Sequence, residues 1–376
     1  MENLRPSMRD IARRLNVSHA TVSMALRNNP RISKARREEV HRIAKEIGYR
    51  PDPILSALVS YRQRKQAKPV VSALAWINRW KDPRKLRGHK EFDSYWQGAC
   101  AAAEVLGYRI EELVVDEDMK GRRLKDILFA RGIQGLLIPP HEADPYWVDL
   151  GLELDNFCVV RFGFSISDLR ADMIGNDQMR SAELAVARIY QSGYRALGYF
   201  SDELFDAKTD GNFRMGALRG LENHGGMARV EPLILTARMG EGDGDPKLLK
   251  HLMDWIDSNR LDSILTSDIA LTGSLKQIGI RVPRDLGLAL TSVREVEGNH
   301  SGLDQNPFQI GQIAVQVLVD KINRSDNGEP EYCRRVLVEG HWVDGDTLPP
   351  LSCRLPPRGR SEGRKEEGEL TTDGHG

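Results

Sequence analysis

The sequence predicts an N-terminal all-α helix-turn-helix head with a hinge helix, followed by a two-lobed α/β domain. Apolar residues at helical spacing, broken by turn and capping residues, run to about residue 60. From Pro69 onward, apolar strands alternate with amphipathic helices. The charge is also divided: residues 1–68 carry 16 Lys and Arg against 6 Asp and Glu, although the 376-residue chain has no net charge.

Three short helices around one core are predicted for the head. The first runs from Met8 to Leu15, and the turn Asn16-Val17-Ser18 follows. Ser18 is a favourable N-cap for a second helix from His19 to Leu26, and Ser33 caps a third helix that ends at Ile47. The apolar positions that share one face are Ile11, Ala12, Leu15, Val22, Ala25, Leu26, Val40, Ile43, Ala44 and Ile47.

The second helix has a face without a packing role, formed by His19, Ala20, Ser23 and Met24. In a helix-turn-helix, such a helix enters the major groove, where its side chains reach base edges while phosphate contacts fix the register. Any small helical bundle shows the same apolar pattern. The excess of about ten positive charges in residues 1–68 favours a polyanionic partner over a plain bundle. The head is therefore predicted to bind double-stranded DNA.

The segment VSHATVSMALRNNPRISKARREEV, followed by IGYRPDPILSALVS, resembles the head of LacI-type transcriptional regulators. The resemblance continues more loosely to about Pro349. It implies a sequence-specific regulator, most often a repressor, that acts as a homodimer on a near-palindromic operator and responds to a small-molecule effector such as a sugar or sugar derivative. Activation of transcription stays open, because the sequence does not give the position of the operator relative to a promoter.

The resemblance also implies DNA contacts, and two of them depart from the family pattern. Thr21 corresponds to a phosphate contact, whereas Met24 stands where the family usually has Arg, and Arg27 where it usually has Asn. Met offers an apolar contact, for example to a thymine methyl, instead of the two hydrogen bonds that Arg makes to guanine. We therefore expect a different operator from the family's commonest one. The implied contacts in the head are Ser18, His19, Ala20, Thr21, Ser23, Met24, Arg27 and Arg31.

A hinge helix is predicted after the head. Asp52 is an N-cap directly before Pro53, which suits a first helical position, and the helix would run to about Ser60. It is too short to be stable alone, so DNA and a partner subunit are expected to order it. By resemblance, Leu58 wedges into a base step in the minor groove, flanked by Leu55 and Val59. The alternative is a plain linker whose leucines cover the adjacent domain.

The rest of the chain is predicted to form parallel sheets in two lobes, with a ligand cleft at the carboxyl ends of the strands. About 280 residues exceed a comfortable single core. The resemblance gives this region the periplasmic-binding-protein-like fold of an effector domain. Predicted strands are 69–77, 132–140, 158–164, 196–201, 232–235, 263–266 and 287–291, and predicted helices are 95–106, 178–192, 212–224, 246–258, 269–278 and 307–324. The expected domains are 1–50 (helix-turn-helix), 51–68 (hinge helix and linker), 69–349 (effector binding and dimerisation) and 350–376 (disordered tail).

Arg214 is the foremost effector contact implied by the resemblance, since a guanidinium grips a carboxylate or paired hydroxyls with two hydrogen bonds. The alternative is an Arg that holds a loop through a salt bridge. Aromatic side chains on the first helix can stack on a sugar ring, although aromatics at helical spacing are more often core. The candidate effector contacts are Tyr95, Trp96, Arg214, Ser267, Asp268, Ser292 and Gln305.

The cleft also departs from the family pattern. Gly163 and Ser292 stand where sugar-responsive members often have Asp, and Ser267 stands where they often have Asn. Either other residues recognise the sugar, or the effector is not a simple sugar. The basic stretch at 79–90 lies near the expected cleft mouth, where it can attract an anion or form a solvated loop.

Enzymatic, metal and cofactor motifs are missing from the sequence. It has no Walker-type Gly-x-x-x-x-Gly-Lys-Ser/Thr, no His-Glu-x-x-His and no Gly-x-Ser-x-Gly, and its four Cys lack Cys-x-x-Cys spacing. No enzyme activity, metal or cofactor is expected. No apolar run reaches membrane-spanning length, which predicts a cytoplasmic, nucleoid-associated protein of a bacterium. The tail has no leucine heptads, so a dimer is expected rather than a coiled-coil tetramer.

Two other functions stay open at this point. One is a carbohydrate-binding or sugar-modifying protein whose basic head merely anchors it to DNA. The other is an architectural DNA binder without effector control.

Overall fold

The computed structural model describes residues 7–26, 32–47, 49, 72–116, 118–141, 151–166, 169–236, 245–295 and 297–353. Its helices are α1 (Met8–Leu15), α2 (His19–Leu26), α3 (Lys34–Glu46), α4 (Pro83–Gly88), α5 (Lys90–Leu106), α6 (Arg122–Ala130), α7 (Gln178–Gln191), α8 (Glu203–Lys208), α9 (Asn212–Asn223), α10 (Pro246–Asn259), α11 (Leu271–Gln277) and α12 (Pro307–Arg324). Its strands are β1 (Ser72–Asn78), β2 (Tyr108–Val114), β3 (Gly135–Ile138), β4 (Cys158–Phe162), β5 (Asp172–Asn176), β6 (Leu197–Asp202), β7 (Leu233–Leu235), β8 (Ser263–Thr266), β9 (Gly287–Leu290), β10 (Ser301–Asp304), β11 (Arg335–Val338) and β12 (His341–Val343).

The head has the three predicted helices, α1 to α3, around one small core. At the start of α1, the backbone N–H of Ser7 donates to Asp10 Oδ2 at 2.8 Å. The helix ends at Asn16, which adopts the left-handed conformation (φ 48°) that Asn tolerates better than most residues. Ser18 caps α2 by accepting a hydrogen bond from the backbone N–H of Thr21 at 3.0 Å. The buried core is Ile11, Ala12, Val22, Ala25, Val40, Ile43 and Ala44, and Leu15, Leu26 and Ile47 pack partly buried against it.

Two separate sheets confirm the predicted two-lobed α/β architecture. The sheet of lobe 1 has the strand order β11-β5-β4-β3-β1-β2, with parallel pairing throughout. The sheet of lobe 2 has the order β12-β10-β9-β8-β6-β7, in which β12 pairs antiparallel with β10 and the other pairs are parallel. Helices pack on both faces of each sheet, so most strand positions are buried.

The chain passes between the lobes at residues 176–178, 304–307 and 338–341, and these three segments form the lobe crossover. The buried amide of Asn176 ties them together. Its Nδ2 donates to the carbonyls of Val338 at 3.0 Å and Gln305 at 3.4 Å, and its Oδ1 accepts from Ser181 at 3.1 Å. One side chain of the first segment thus hydrogen-bonds backbone carbonyls of the other two, so that all three segments are joined at one short region.

After the second crossing, α12 returns to lobe 1 and packs closely on α5. Two glycines permit this approach: a Cβ at Gly98 would overlap the backbone of Phe308, and a Cβ at Gly311 would overlap the backbone of Tyr95. The two helices therefore meet backbone to backbone. This packing fixes the position of α5, whose N-terminal turn faces lobe 2.

Several predicted bounds need correction. The helix predicted from Tyr95 begins at Lys90, and part of the basic stretch predicted as a loop is α4, capped by Asp82 with Pro83 at the first helical position. The other elements that the sequence did not predict are α6, α8, β2, β5, β10, β11 and β12. The predicted hinge helix from Pro53 and the tail from residue 354 lie outside the described residues.

Candidate nucleic-acid interface and interlobe cleft

The first turn of α2 forms an exposed surface on the head. Ser18, His19 and Ala20 are exposed, whereas Val22 and Ala25 on the opposite face are fully buried. The hydroxyls of Ser18 and Thr21 are 2.8 Å apart and form a hydrogen bond. Both hydroxyls therefore lie at the N-terminus of α2, where backbone N–H groups and the helix dipole favour a phosphate.

The same surface has an apolar part. Ala20 and Met24 are one helical turn apart and so lie on one face of α2, with Met24 partly exposed. Ser23 is also partly exposed. The arrangement combines phosphate-binding hydroxyls with an apolar strip that fits thymine methyl groups. The other predicted DNA contacts, Arg27, Arg31, Leu55, Leu58 and Val59, lie outside the described residues.

Beyond the lobe crossover the two lobes contact each other, and this boundary between them is called the interlobe cleft. The backbone N–H of Glu91, in the segment after β1, donates to Glu295 Oε1 at 2.9 Å, and Glu295 follows β9 of lobe 2. Lys208, after β6, donates to the carbonyl of His141, after β3, at 3.3 Å. The segments that follow the carboxyl ends of strands in the two lobes thus meet each other, which is the edge where ligands bind in parallel α/β sheets.

Arg214 lies in the first turn of α9 in lobe 2. Its Nε donates to both carboxylate oxygens of Asp206 at 3.1 Å, and the Arg214 side chain is 36% exposed. This ion pair is the salt bridge that the sequence left open as the alternative to an effector contact. Nearby, Ser267 Oγ is 3.3 Å from Ser201 Oγ, and burial raises the pKa of Tyr199.

Asp268 and Gln305 are used within lobe 2. The backbone N–H of Asp268 donates to Thr266 Oγ1 and its Oδ1 accepts from the backbone N–H of Ala270, both at 2.9 Å, so its side chain shapes the turn into α11. Gln305 is buried in the lobe crossover, and its Nε2 donates to the carbonyl of Thr291 at 2.9 Å. In this conformation both side chains hold backbone groups in place.

The two aromatic candidates pack inside lobe 1. The Tyr95 ring is stacked between Phe92 and Phe162, with ring centroids 5.9 and 5.3 Å away. The Trp96 ring packs edge-on against Trp76 at 5.5 Å, and the Arg87 guanidinium lies 4.7 Å from its centroid. Because Tyr95 is covered on both faces, its ring is not available for stacking on a sugar in this conformation.

Glu91 is a cleft residue that the sequence analysis missed. Its side chain is 7% exposed and faces lobe 2 across the cleft. Burial, then the nearby Glu295 carboxylate, raise the pKa of Glu91 from 4.5 to about 8, while the Ser292 hydroxyl opposes this rise. A sequence signal was available, because Glu91 lies in the first turn of α5, but the helix was predicted to begin only at Tyr95.

Glu295 has the opposite environment. Burial alone would raise its pKa, but hydrogen bonds from the His89 side chain and the backbone N–H of Glu91 lower it below the ordinary value. The N-terminus of α5 therefore holds an ionised carboxylate from the other lobe, a favourable place for a negative charge. Ser292, which precedes this segment, lies beside Glu91.

Comparison with known proteins agrees with these features. Residues 7–52 match the family model described as "Bacterial regulatory proteins, lacI family". The repressor CytR of Escherichia coli K12 is 22% identical over 327 residues, which is 84% of this chain and 89% of that protein. The ribose operon repressor of Haemophilus influenzae is 23% identical over 335 residues, 85% of this chain and 93% of that protein.

Among solved structures, a complex of the transcriptional regulator CelR with cellobiose aligns with a TM-score of 0.54 at 19% identity, and covers 91% of this chain and 100% of that one. A LacI family regulator from Enterococcus faecium with bound ribose aligns with a TM-score of 0.54 at 14% identity, over 74% of this chain and 99% of that one. At these identities the structures establish a shared fold.

An exposed recognition helix on a helix-turn-helix head, joined in one chain to a two-lobed α/β domain with an interlobe cleft, defines a DNA-binding regulator with a ligand-binding domain. The head matches the lacI family model over residues 7–52, and relatives named as repressors, at 22–23% identity, match over most of the chain. In the part of the chain that the structure describes, no helix is both long and apolar enough to cross a membrane.

Proposed function

We propose that this protein is a transcriptional repressor that binds a near-palindromic operator as a homodimer and is controlled by a small-molecule effector in the interlobe cleft. The observation that carries the proposal is the combination, in one chain, of the exposed α2 surface with two lobes joined at one crossover. An effector that prefers one arrangement of the lobes shifts the population of the DNA-binding state by its difference in affinity. The relatives named as repressors support the direction of control.

On the DNA side, we assign phosphate contacts to the hydroxyls of Ser18 and Thr21 and groove contacts to His19, Ser23 and the apolar pair Ala20 and Met24. The α2 surface supports this assignment because its hydroxyls and its apolar strip are adjacent. In the proposal, Arg27 and Arg31 add contacts in the head. Leu55, Leu58 and Val59 belong to a hinge helix that forms on DNA.

On the effector side, we assign Arg214 as a ligand contact that exchanges its Asp206 partner for a hydroxyl or carboxylate of the effector. We assign Ser267, Asp268, Ser292 and Gln305 to the same effector site. A sugar or sugar derivative fits the relatives, since one curated relative is a ribose operon repressor and two similar structures contain cellobiose or ribose. We propose no cofactor and no enzymatic activity.

The domain limits proposed from the sequence are 1–50 for the head, 51–68 for the hinge helix and linker, 69–349 for the effector domain and 350–376 for a tail. One head recognises only one half of a palindromic operator. The proposal therefore requires two copies of the chain related by a twofold axis. A bacterial cytoplasmic location on the nucleoid follows from the proposed operator binding.

Selection of random duplex DNA by the purified protein tests this function. The salt concentration is kept near physiological, so that nonspecific phosphate binding is suppressed. Enrichment of a palindrome with an easily kinked central step is the expected result, and it supplies the operator for effector screens. Absence of any enriched motif would contradict the proposal and favour a ligand-binding protein with an anchoring head. Specific binding that no metabolite changes would favour an architectural DNA binder.

A further inference from the structure

Glu91 has a buried carboxyl group whose hydrogen-bonding capacity is not fully used by the surrounding residues. Glu91 lies in the first turn of α5, is only 7% exposed, and has Ser292, Arg294 and Glu295 of lobe 2 as neighbours. Among the residues that the structure describes, its Oε1 has no hydrogen-bond partner. A buried carboxyl oxygen without a partner costs free energy, so a group that supplies hydrogen bonds to it would be favourable.

The charged groups around Glu91 are already paired with each other. From lobe 2, Arg294 forms an ion pair with Asp304 at 2.7 Å. From lobe 1, His89 lies 3.7 Å from Glu295, which also accepts the backbone N–H of Glu91. The remaining neighbours, Ser292 and Tyr95, are neutral. Three carboxyl groups thus share this part of the cleft with one Arg and one His, and among the described residues Glu91 forms no ion pair.

We infer that Glu91 is the contact for a positively charged nitrogen of the effector, so that the ligand is a small polyhydroxylated molecule carrying a primary amine, such as an amino sugar. The inference rests on the proposed function, because it names the chemical class of the ligand in the same cleft. An ammonium group donates three hydrogen bonds and provides the charge that a buried carboxylate needs.

Other ligand chemistries fit this wall less well. An anionic group would face Glu91, Glu295 and Asp304 at close range. A neutral hydroxyl forms one hydrogen bond with Glu91 but brings no counter-charge. The Glu91 carboxyl therefore keeps its proton near neutral pH. A cation instead converts Glu91 to the carboxylate, and the proton is released to solvent as the ligand binds.

Isothermal titration calorimetry tests the inference. The probes are glucosamine, galactosamine and mannosamine, each with its parent hexose and its N-acetyl derivative, which keep the ring but remove the charge. Titrations at neutral pH in two amine-free buffers of different ionisation enthalpy give the number of protons released. We expect an amino sugar to bind with release of about one proton. Its uncharged counterparts should have an affinity at least about tenfold lower.

Glu91→Gln should remove the preference for the amine and the proton release, and a melting curve verifies that this variant is folded. Glu104→Gln, at an exposed position of the same helix, is the matched control and should behave like the wild type. Equal binding of amine and N-acetyl forms, binding that Glu91→Gln does not change, or no binding of any amine up to high millimolar concentration overturns the inference.

Operator binding separates this result from a failure of the proposed function. A protein that selects an operator and is released by a neutral sugar, with Glu91→Gln responding like the wild type, retains the function and contradicts the amine. A protein that selects no operator fails as a regulator, whether or not it binds an amine.

Discussion

Replacing Glu91 with glutamine should stabilise the protein relative to the wild type by an amount that grows from about pH 4.5 to about pH 8 and is constant above that. The cause is the raised pKa of this carboxyl, from 4.5 to about 8, produced first by burial and then by Glu295. Between these values the folded protein holds a proton that the unfolded chain has released. Stability from this proton is fully present below about pH 4.5 and is lost as the pH rises to about 8.

The magnitude follows from the two pKa values. One pH unit between them changes the free energy of unfolding by about 1.4 kcal/mol, so the whole interval amounts to about 4–5 kcal/mol as an upper bound. Glutamine has nearly the same shape and does not ionise, so its contribution does not vary with pH. Separation of the lobes can expose Glu91 without unfolding the protein. If that separation costs less free energy than unfolding, the difference in stability between variant and wild type cannot exceed the free energy of separation.

Urea denaturation of wild type, Glu91→Gln and the exposed control Glu104→Gln, at several pH values from 5 to 8, measures the effect. Fluorescence and circular dichroism are recorded together, so that a transition with intermediates is detected. The midpoint difference between Glu91→Gln and wild type should widen with pH, while Glu104→Gln follows the wild type. If the midpoint difference between Glu91→Gln and wild type stays constant from pH 5 to 8, Glu91 does not have a raised pKa in the folded protein and the reasoning is refuted.

Three further changes give independent tests. Met24→Arg should move operator preference towards guanine at one position in each half-site, with a discrimination of about 1–3 kcal/mol; an unchanged motif in random-duplex selection would contradict the position of Met24 in the groove. Ser18→Ala removes the cap of α2 and should lower the stability of the head by about 1 kcal/mol, measured by thermal melting. Arg214→Lys keeps the charge but loses the paired donors, so effector affinity in calorimetry should fall about tenfold, and an unaltered affinity would leave Arg214 with only its Asp206 contact.

The head was predictable because its signals are local. Capping residues such as Ser18 and Ser33 adjoin apolar residues at helical spacing, and the structure has α1, α2 and α3 within about a residue of the predicted bounds. The alternation of strands and helices predicted the parallel sheets for a similar reason, since each unit is specified by neighbouring residues. Short strands such as β10 were missed, because Ser301–Asp304 has no apolar run and becomes a strand only between β9 and β12.

The cleft was less predictable, because its chemistry depends on residues far apart in sequence. Arg214 was identified as a candidate from its motif, but its pairing with Asp206 depends on the packing of α8 beside α9. Glu91 had no signal strong enough to distinguish it from an ordinary acidic residue in the first turn of a helix. Its raised pKa arises first from burial and then from the Glu295 and Asp304 carboxylates, and Glu295 is 204 positions away in the sequence.

The contact between Glu295 and the N-terminus of α5 makes the charge of a ligand decisive for the lobe arrangement. A cation between Glu91 and Glu295 compensates two carboxylates from opposite lobes, so it binds better when the lobes are together. An anion competes with Glu295 for the same backbone N–H groups, and it is accommodated only when Glu295 withdraws. Because a ligand shifts an equilibrium only through its difference in affinity for the two states, cationic and anionic ligands of similar size should drive the lobes in opposite directions.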